Sequence, residues 1–160
     1  MTEERMTATT TVNSAAGDVF DVLADPSTHE AIDGTGWVRQ PLVSKRLTAT
    51  GQVFRMAMYY NNPNYTDKNY EVANRVEVFD PPHAIAWLPG QGPDDANLEF
   101  GGWTWRYDLS AVSPSQTAVT LTYDWSAVPA AIREHISFPP FDQQHLDNSL
   151  KHLAGLAERT

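Results

Sequence analysis

The chain offers one long amphipathic helix against about seven strand-like segments, and that imbalance constrains its fold more than any other feature. Near the end, Leu146, Leu150, Leu153 and Leu156 recur at helical spacing behind Asp142, giving a one-sided stripe that must pack against something. Ahead of it, from about residue 38 to residue 102, the pattern is that of strands with turn residues at regular intervals, and two further strands follow before the helix. Seven strands at roughly 4.8 Å spacing make a sheet about 34 Å wide, whereas a helix with its side chains is only about 10 to 12 Å across. One helix cannot cover such a sheet flat. The sheet must curl around the helix, and any concavity left over is filled by large side chains or by a ligand.

Residues 6–12 read as a first strand, with Met6, Ala8, Thr10 and Val12 on one face. Ser14 then caps a predicted helix over residues 15–24, whose apolar stripe is Val19, Phe20, Val22 and Leu23. Asp25 and Pro26 open a second short helix that buries Ile32 before Gly34 and Gly36 break the chain. Strand residues 52–60 place Phe54, Met56, Met58 and Tyr60 on one face, and residues 70–79 do the same with Tyr70, Val72, Asn74, Val76 and Val78. A short strand at 84–88, a polar loop over 89–97 and a strand over 99–109 follow. The last of these aligns Trp103, Trp105, Tyr107 and Leu109 against Val119, Leu121, Tyr123 and Trp125 of its hairpin partner. A helix begins near Pro129, and Phe138-Pro139-Pro140-Phe141 interrupts it, because consecutive prolines cannot continue the backbone ladder. Strands grouped together and helices kept apart predict the α+β class.

The 160 residues fit one domain over residues 1–160 with a core large enough to need no staples. The absence of cysteine excludes disulfides, thiolate nucleophiles and Cys-ligated zinc, and together with the lack of a charged-then-apolar leader it predicts a cytoplasmic protein. No apolar run approaches about 20 residues and the mean hydropathy is -0.42, which argues against membrane insertion. With 11 Lys and Arg against 20 Asp and Glu, the net charge of -9 repels phosphate backbones, so no nucleic acid partner is expected. An exposed edge strand is compatible with a monomer or a homodimer.

Several segments together resemble a known family: Val19-Phe20-Asp21-Val22-Leu23-Ala24-Asp25-Pro26 after the first strand, Asn74-Arg75-Val76 followed by Asp80-Pro81-Pro82, and the closing leucine helix. The chain is similar to the START-like helix-grip (SRPBCC) superfamily, in particular its branch labelled polyketide cyclase/dehydrase and lipid transport. The resemblance spans nearly the whole chain and is structural, not catalytic. It implies a cavity between sheet and long helix, used across the family for lipids, sterols, aromatic polyketides or plant hormones, and in some members for cyclisation, dehydration or condensation.

On this reading the ligand-binding set is Phe54, Met56, Met58, Tyr60, Asn74, Trp103, Trp105, Tyr107, Tyr123, Trp125, Phe138, Phe141, Leu146 and Leu150. The aromatic members either line a cavity or plug it, and sequence alone reads the same in both cases. Asn74 is the polar member of an otherwise apolar face, so its amide needs a partner: a hydroxyl, a backbone group, water or a ligand carbonyl. Residues 61–68 and 89–97, with Phe138 and Phe141 as apolar lids, are placed to gate the entrance. Gly34-Thr35-Gly36 lacks the remainder of a nucleotide-binding motif and reads as a turn there, and Asn64-Tyr65-Thr66 matches a glycosylation sequon of no consequence without a secretion signal. His29, His83, His135, His145 and His152 lack metal-ligand spacing, and neither a metal nor another cofactor is expected.

Two functions follow from one pocket. The first is binding or carriage of a small hydrophobic molecule, with Asn74 and Tyr107 or Tyr123 satisfying its polar group. The alternative is a cofactor-independent cyclase or dehydratase in which Asn74 or a tyrosine stabilises an enolate and His145 or Asp124 moves a proton. A buried carboxylate or histidine with a shifted pKa would favour the enzyme. A third possibility, an interaction module without a ligand, applies if the aromatics fill the interior.

Overall fold

The computed structural model describes residues 4–33, 37–43, 45–59, 69–134 and 136–158. Its elements run β1 Arg5–Val12, α1 Ala16–Leu23, a 3-10 turn Pro26–Thr28, α2 His29–Ile32, β2 Val38–Pro41, β3 Val53–Tyr59, β4 Asn69–Asp80, β5 Ala84–Gln91, β6 Glu99–Phe100, β7 Thr104–Ser113, β8 Gln116–Asp124, α3 Ala130–Arg133 and α4 Gln143–Ala157. The sheet is antiparallel in the order β1-β8-β7-β5-β4-β3-β2, with the short β6 pairing to β5. It is an α+β fold in which a curled sheet holds α4.

Period-two alternation builds the gripping face. Cross-strand pairing sets Phe54 beside Asn74, Asn74 beside Pro89, Trp87 beside Trp105, and Trp105 beside Tyr123, so one continuous inner surface crosses five strands. Against it α4 buries Leu146, Leu150 and Leu153 with Ala157 at its end. Each leucine contributes about 1.5 to 3 kcal/mol by leaving water. Asp142 caps that helix through Gln144 N–H at 3.1 Å, and Asp25 caps the 3-10 turn through Ser27 N–H at 3.0 Å.

Four local expectations are corrected. Ser14 does not cap α1, whose N-cap is Ala15; its hydroxyl donates instead to the Ala157 carbonyl at 2.9 Å, tying the start of α1 to the end of α4. In β4 the register shifts between Val76 and Val78, so Phe79 rather than Val78 turns inward and meets Phe20 at a ring separation of 5.3 Å. The loop expected from residue 89 begins later, because β5 continues to Gln91 with Pro89 and Gly90 paired to β4. A Cβ at Gly90 would lie 2.7 Å from the Phe100 ring, so the close approach of β6 requires glycine there. The strand expected over 99–109 is two strands, broken at Gly102, whose φ of 96° suits glycine.

Tyr60, His135, the 34–36 turn and the 61–68 loop with its sequon lie outside the described residues. Among the described residues no helix is long and apolar enough to cross a membrane.

Candidate functional site

The inner faces of β3, β4, β5, β7 and β8 do not close fully on the helices, and a pocket of about 1000 Å³ remains. Met56, Met58, Val72, Trp87, Trp105 and Tyr107 form its sheet wall; Leu23, His29, Ile32, Asp33 and Trp37 bound it from the α1–α2 side; Phe138 and Phe141 line it from the segment before α4, and Ser149 from α4 itself. Its volume is at the upper end of the range of ligand sites, about 300 to 1,000 Å³.

The rings gather in two clusters. Around Phe141 are Trp105 at 5.5 Å, Tyr123 at 4.9 Å and Trp37 at 6.1 Å. Around Trp87 are His29, stacked at 5.0 Å, Phe54 at 5.6 Å and Tyr107 at 6.0 Å. Large side chains therefore pack on one another, and members of both clusters also line the pocket. Trp103 pairs with Phe138 at 5.8 Å.

Among the polar groups that border this space are Asn74, Tyr107, Tyr123 and His29. Asn74 is 4% exposed, yet its amide has no hydrogen-bond partner among the described residues and is not sealed by protein atoms, so it faces the pocket. The hydroxyls of Tyr107 and Tyr123 likewise have no hydrogen-bond partner among the described residues, and burial pushes both phenols well above their ordinary pKa of 10. The nearby Asp33 charge adds to the rise at Tyr107. His29 is buried, with Nε2 at 2.8 Å from the Leu23 carbonyl oxygen. Because a carbonyl only accepts, Nε2 carries the proton, and Nδ1 is the lone-pair nitrogen. Desolvation lowers the His29 pKa, outweighing the Leu23 hydrogen bond and the Asp25 charge, and the ring is held neutral.

Of the residues anticipated from sequence, Met56, Met58, Asn74, Trp103, Trp105, Tyr107, Tyr123, Phe138 and Phe141 border the pocket. Phe54 and Trp125 lie one layer back, against Trp87 and Tyr123 respectively, and Leu146 and Leu150 belong to the core beneath α4. Neither anticipated proton carrier reaches the space. Asp124 alternates with Tyr123 onto the outer face, where its Oδ1 accepts from Ser126 N–H at 2.8 Å, and His145 sits behind Phe141 at 5.6 Å.

The sequence reading overlooked His29, Asp33, Trp37 and Trp87. His29 precedes Ile32 by three positions on α2, so the Ile32 contact already implied the same buried face. Trp87 falls on the inward phase of the short strand predicted over residues 84–88, opposite Trp105. Among the described residues no group of three or more His, Asp or Glu side chains is placed to hold a metal ion.

No family model matches the chain. It is 27% identical over 135 residues to Rv0088 and 26% identical over 135 residues to MT0096, both uncharacterized proteins of Mycobacterium tuberculosis. These matches cover 84% of this chain and 53% of theirs, so the chain spans about half the length of the curated relatives it matches. Among solved structures, Ms6760 of Mycobacterium smegmatis superposes with a TM-score of 0.66 at 16% identity, over 98% of this chain and 92% of that one. A norcoclaurine synthase of Thalictrum flavum superposes with a TM-score of 0.64 at 10% identity, over 97% and 94% of the two chains. Likeness at these identities concerns the fold, a half-barrel of the helix-grip type.

Proposed function

We propose that residues 1–160 act as one helix-grip domain that binds a small, largely apolar molecule between the sheet and α4. The observation that carries this reading is Asn74: a buried amide without a protein partner costs about 1 to 3 kcal/mol, and a ligand's polar group at the pocket wall would offset that cost. The two aromatic clusters would hold the ligand's apolar body, with Met56 and Met58 adapting to its outline. Phe138 and Phe141 would act as the lid.

The test is titration of the intact chain with N-phenylnaphthylamine, a neutral dye that brightens in apolar surroundings. Saturable brightening that is weakened several-fold by Tyr123→Ala is expected. A dye that stays dark at every protein concentration would refute the reading.

One observation favours chemistry as a second reading. His29 is a buried, neutral imidazole with a fixed tautomer on the pocket wall, which suits it to accept a proton from a bound carbon or oxygen acid. The fold also occurs in a synthase captured with a transition state analogue. Turnover of a flexible polyketone that is lost in His29→Gln with ligand binding retained would identify such an enzyme; equal turnover in both proteins would exclude His29 as its base.

A further inference from the structure

We propose that the pocket selects ligands that are uncharged or cationic and bring an O–H or N–H donor, and that it rejects carboxylates and phosphates. This rests on the reading of the pocket as a ligand site and names the chemical class that it admits. Among the described residues that line the pocket there is no lysine or arginine, whereas Asp33 and Glu99 both border it. The arginines of the sheet wall are turned away and engaged elsewhere. Arg55 on β3 pairs with Glu71 and Asp95, Arg75 on β4 with Glu77, and Arg106 on β7 with Asp108. Each alternates with an inward residue: Phe54 and Met56, Asn74 and Val76, Trp105 and Tyr107. Period two thus exports the positive charge to the outer face.

His29, the one basic side chain among the described lining residues, supplies no cation either. Its Nε2–H is committed to the Leu23 carbonyl and its ring lies between Trp87 and Phe54, leaving the Nδ1 lone pair as an acceptor. Asp33 is fixed on the same side, its Oδ2 accepting from Trp37 N–H at 2.9 Å and Val38 N–H at 3.1 Å. The side of the pocket around His29 and Asp33 therefore offers acceptors and, among the described lining residues, no lysine or arginine, while Asn74 and the Tyr107 and Tyr123 hydroxyls supply neutral donors. A carboxylate moved there would lose its water, meet no lysine or arginine among the described lining residues and face Asp33, so its desolvation would go largely uncompensated. A hydroxyl could donate to His29, and an ammonium group would gain from Asp33 and from the faces of the surrounding tryptophans.

The experiment is displacement of N-phenylnaphthylamine from the intact chain by three competitors with one skeleton: naphthaleneethanol, naphthaleneethylamine and naphthaleneacetic acid. It is run at neutral pH and an ionic strength of about 0.15 M, where the Debye length of about 8 Å screens the long-range field of the acidic surface. The acid is expected to compete at least about tenfold more weakly than the alcohol, which corresponds to about 1.4 kcal/mol, and the amine at least as well as the alcohol. Asp33→Asn keeps an acceptor for the Trp37 and Val38 amides and should narrow the gap between acid and alcohol several-fold, each measured against that variant's own dye binding. An acid that competes as well as the alcohol in the wild-type protein overturns the proposal, as does an unchanged gap in an Asp33→Asn protein that still binds dye; if that variant does not fold, the wild-type series decides. A wild-type protein that binds no dye at all overturns the pocket reading itself, a distinguishable result.

Discussion

Replacing Asn74 with leucine should make the empty protein more stable and the binding protein worse. The two side chains share their branching at Cγ, so the substitution exchanges an amide for two methyl groups at nearly constant shape. In the empty protein the amide is 4% exposed and has no partner among the described residues. An unsatisfied buried group costs about 1 to 3 kcal/mol, and because this one borders a pocket wide enough for water, the lower end applies, about 1 kcal/mol. For a chain of 160 residues that gain raises Tm by about 2 to 4 °C. Thermal melts followed by circular dichroism, with and without N-phenylnaphthylamine, measure both sides. For a ligand that bonds the amide, Asn74→Leu should weaken binding about tenfold, the loss of about 1.4 kcal/mol. A lower Tm in the empty variant would show that the amide is satisfied inside the native fold, and the argument from Asn74 to a ligand would collapse.

Three further expectations are independent of the ligand. His29 has a folded pKa below its ordinary 6.5, so below about pH 6.5 the unfolded chain binds more protons. Its contribution to stability is complete above that pH and is lost as the pH falls through the depressed folded value. Urea melts of His29→Gln should therefore show a shallower acid limb than wild type, and superimposable limbs would contradict the assignment. Tyr107 and Tyr123 have folded pKa values above their ordinary 10, so their contribution is complete below about pH 10 and is lost as the unfolded chain ionises above it. Ultraviolet titration should find at least two phenols that resist ionisation until the fold is lost, one fewer in Tyr107→Phe. Leu153→Ala, at a fully buried position of α4, should cost about 2 to 5 kcal/mol by denaturant unfolding, and a cost under about 1 kcal/mol would mean that α4 is not gripped.

The architecture was legible because curling is forced by geometry. One leucine stripe against many alternating strands has few solutions, and the phases of β3, β7 and β8 are readable because large inward residues such as Met56, Trp105 and Tyr123 alternate with small or polar ones. The sequence was less informative where backbone detail overrides pattern. The bulge near Glu77 exchanges Val78 for Phe79, and Pro89-Gly90, which usually marks a turn, continues β5 because β6 leaves no room for a Cβ. At the site, Asn74 stood out as the polar residue on an apolar face. His29 did not, although its i to i+3 spacing to Ile32 on α2 places both on one buried face, because a lone histidine reads as a surface residue until that spacing is used. Asp124 and His145 were attractive as chemistry-bearing types, but position decides, and a β-strand's alternation turned Asp124 outward.

The central claim, a pocket that holds a small molecule, is tested most directly by native mass spectrometry of the gently purified chain, before and after addition of naphthaleneethanol in excess. The account expects a one-to-one adduct that survives desolvation, reduced in Asn74→Leu and much weaker with naphthaleneacetic acid. A spectrum that shows only the bare chain with every compound offered, from a protein whose tryptophan fluorescence is also indifferent to them, would mean that the aromatic clusters serve packing alone.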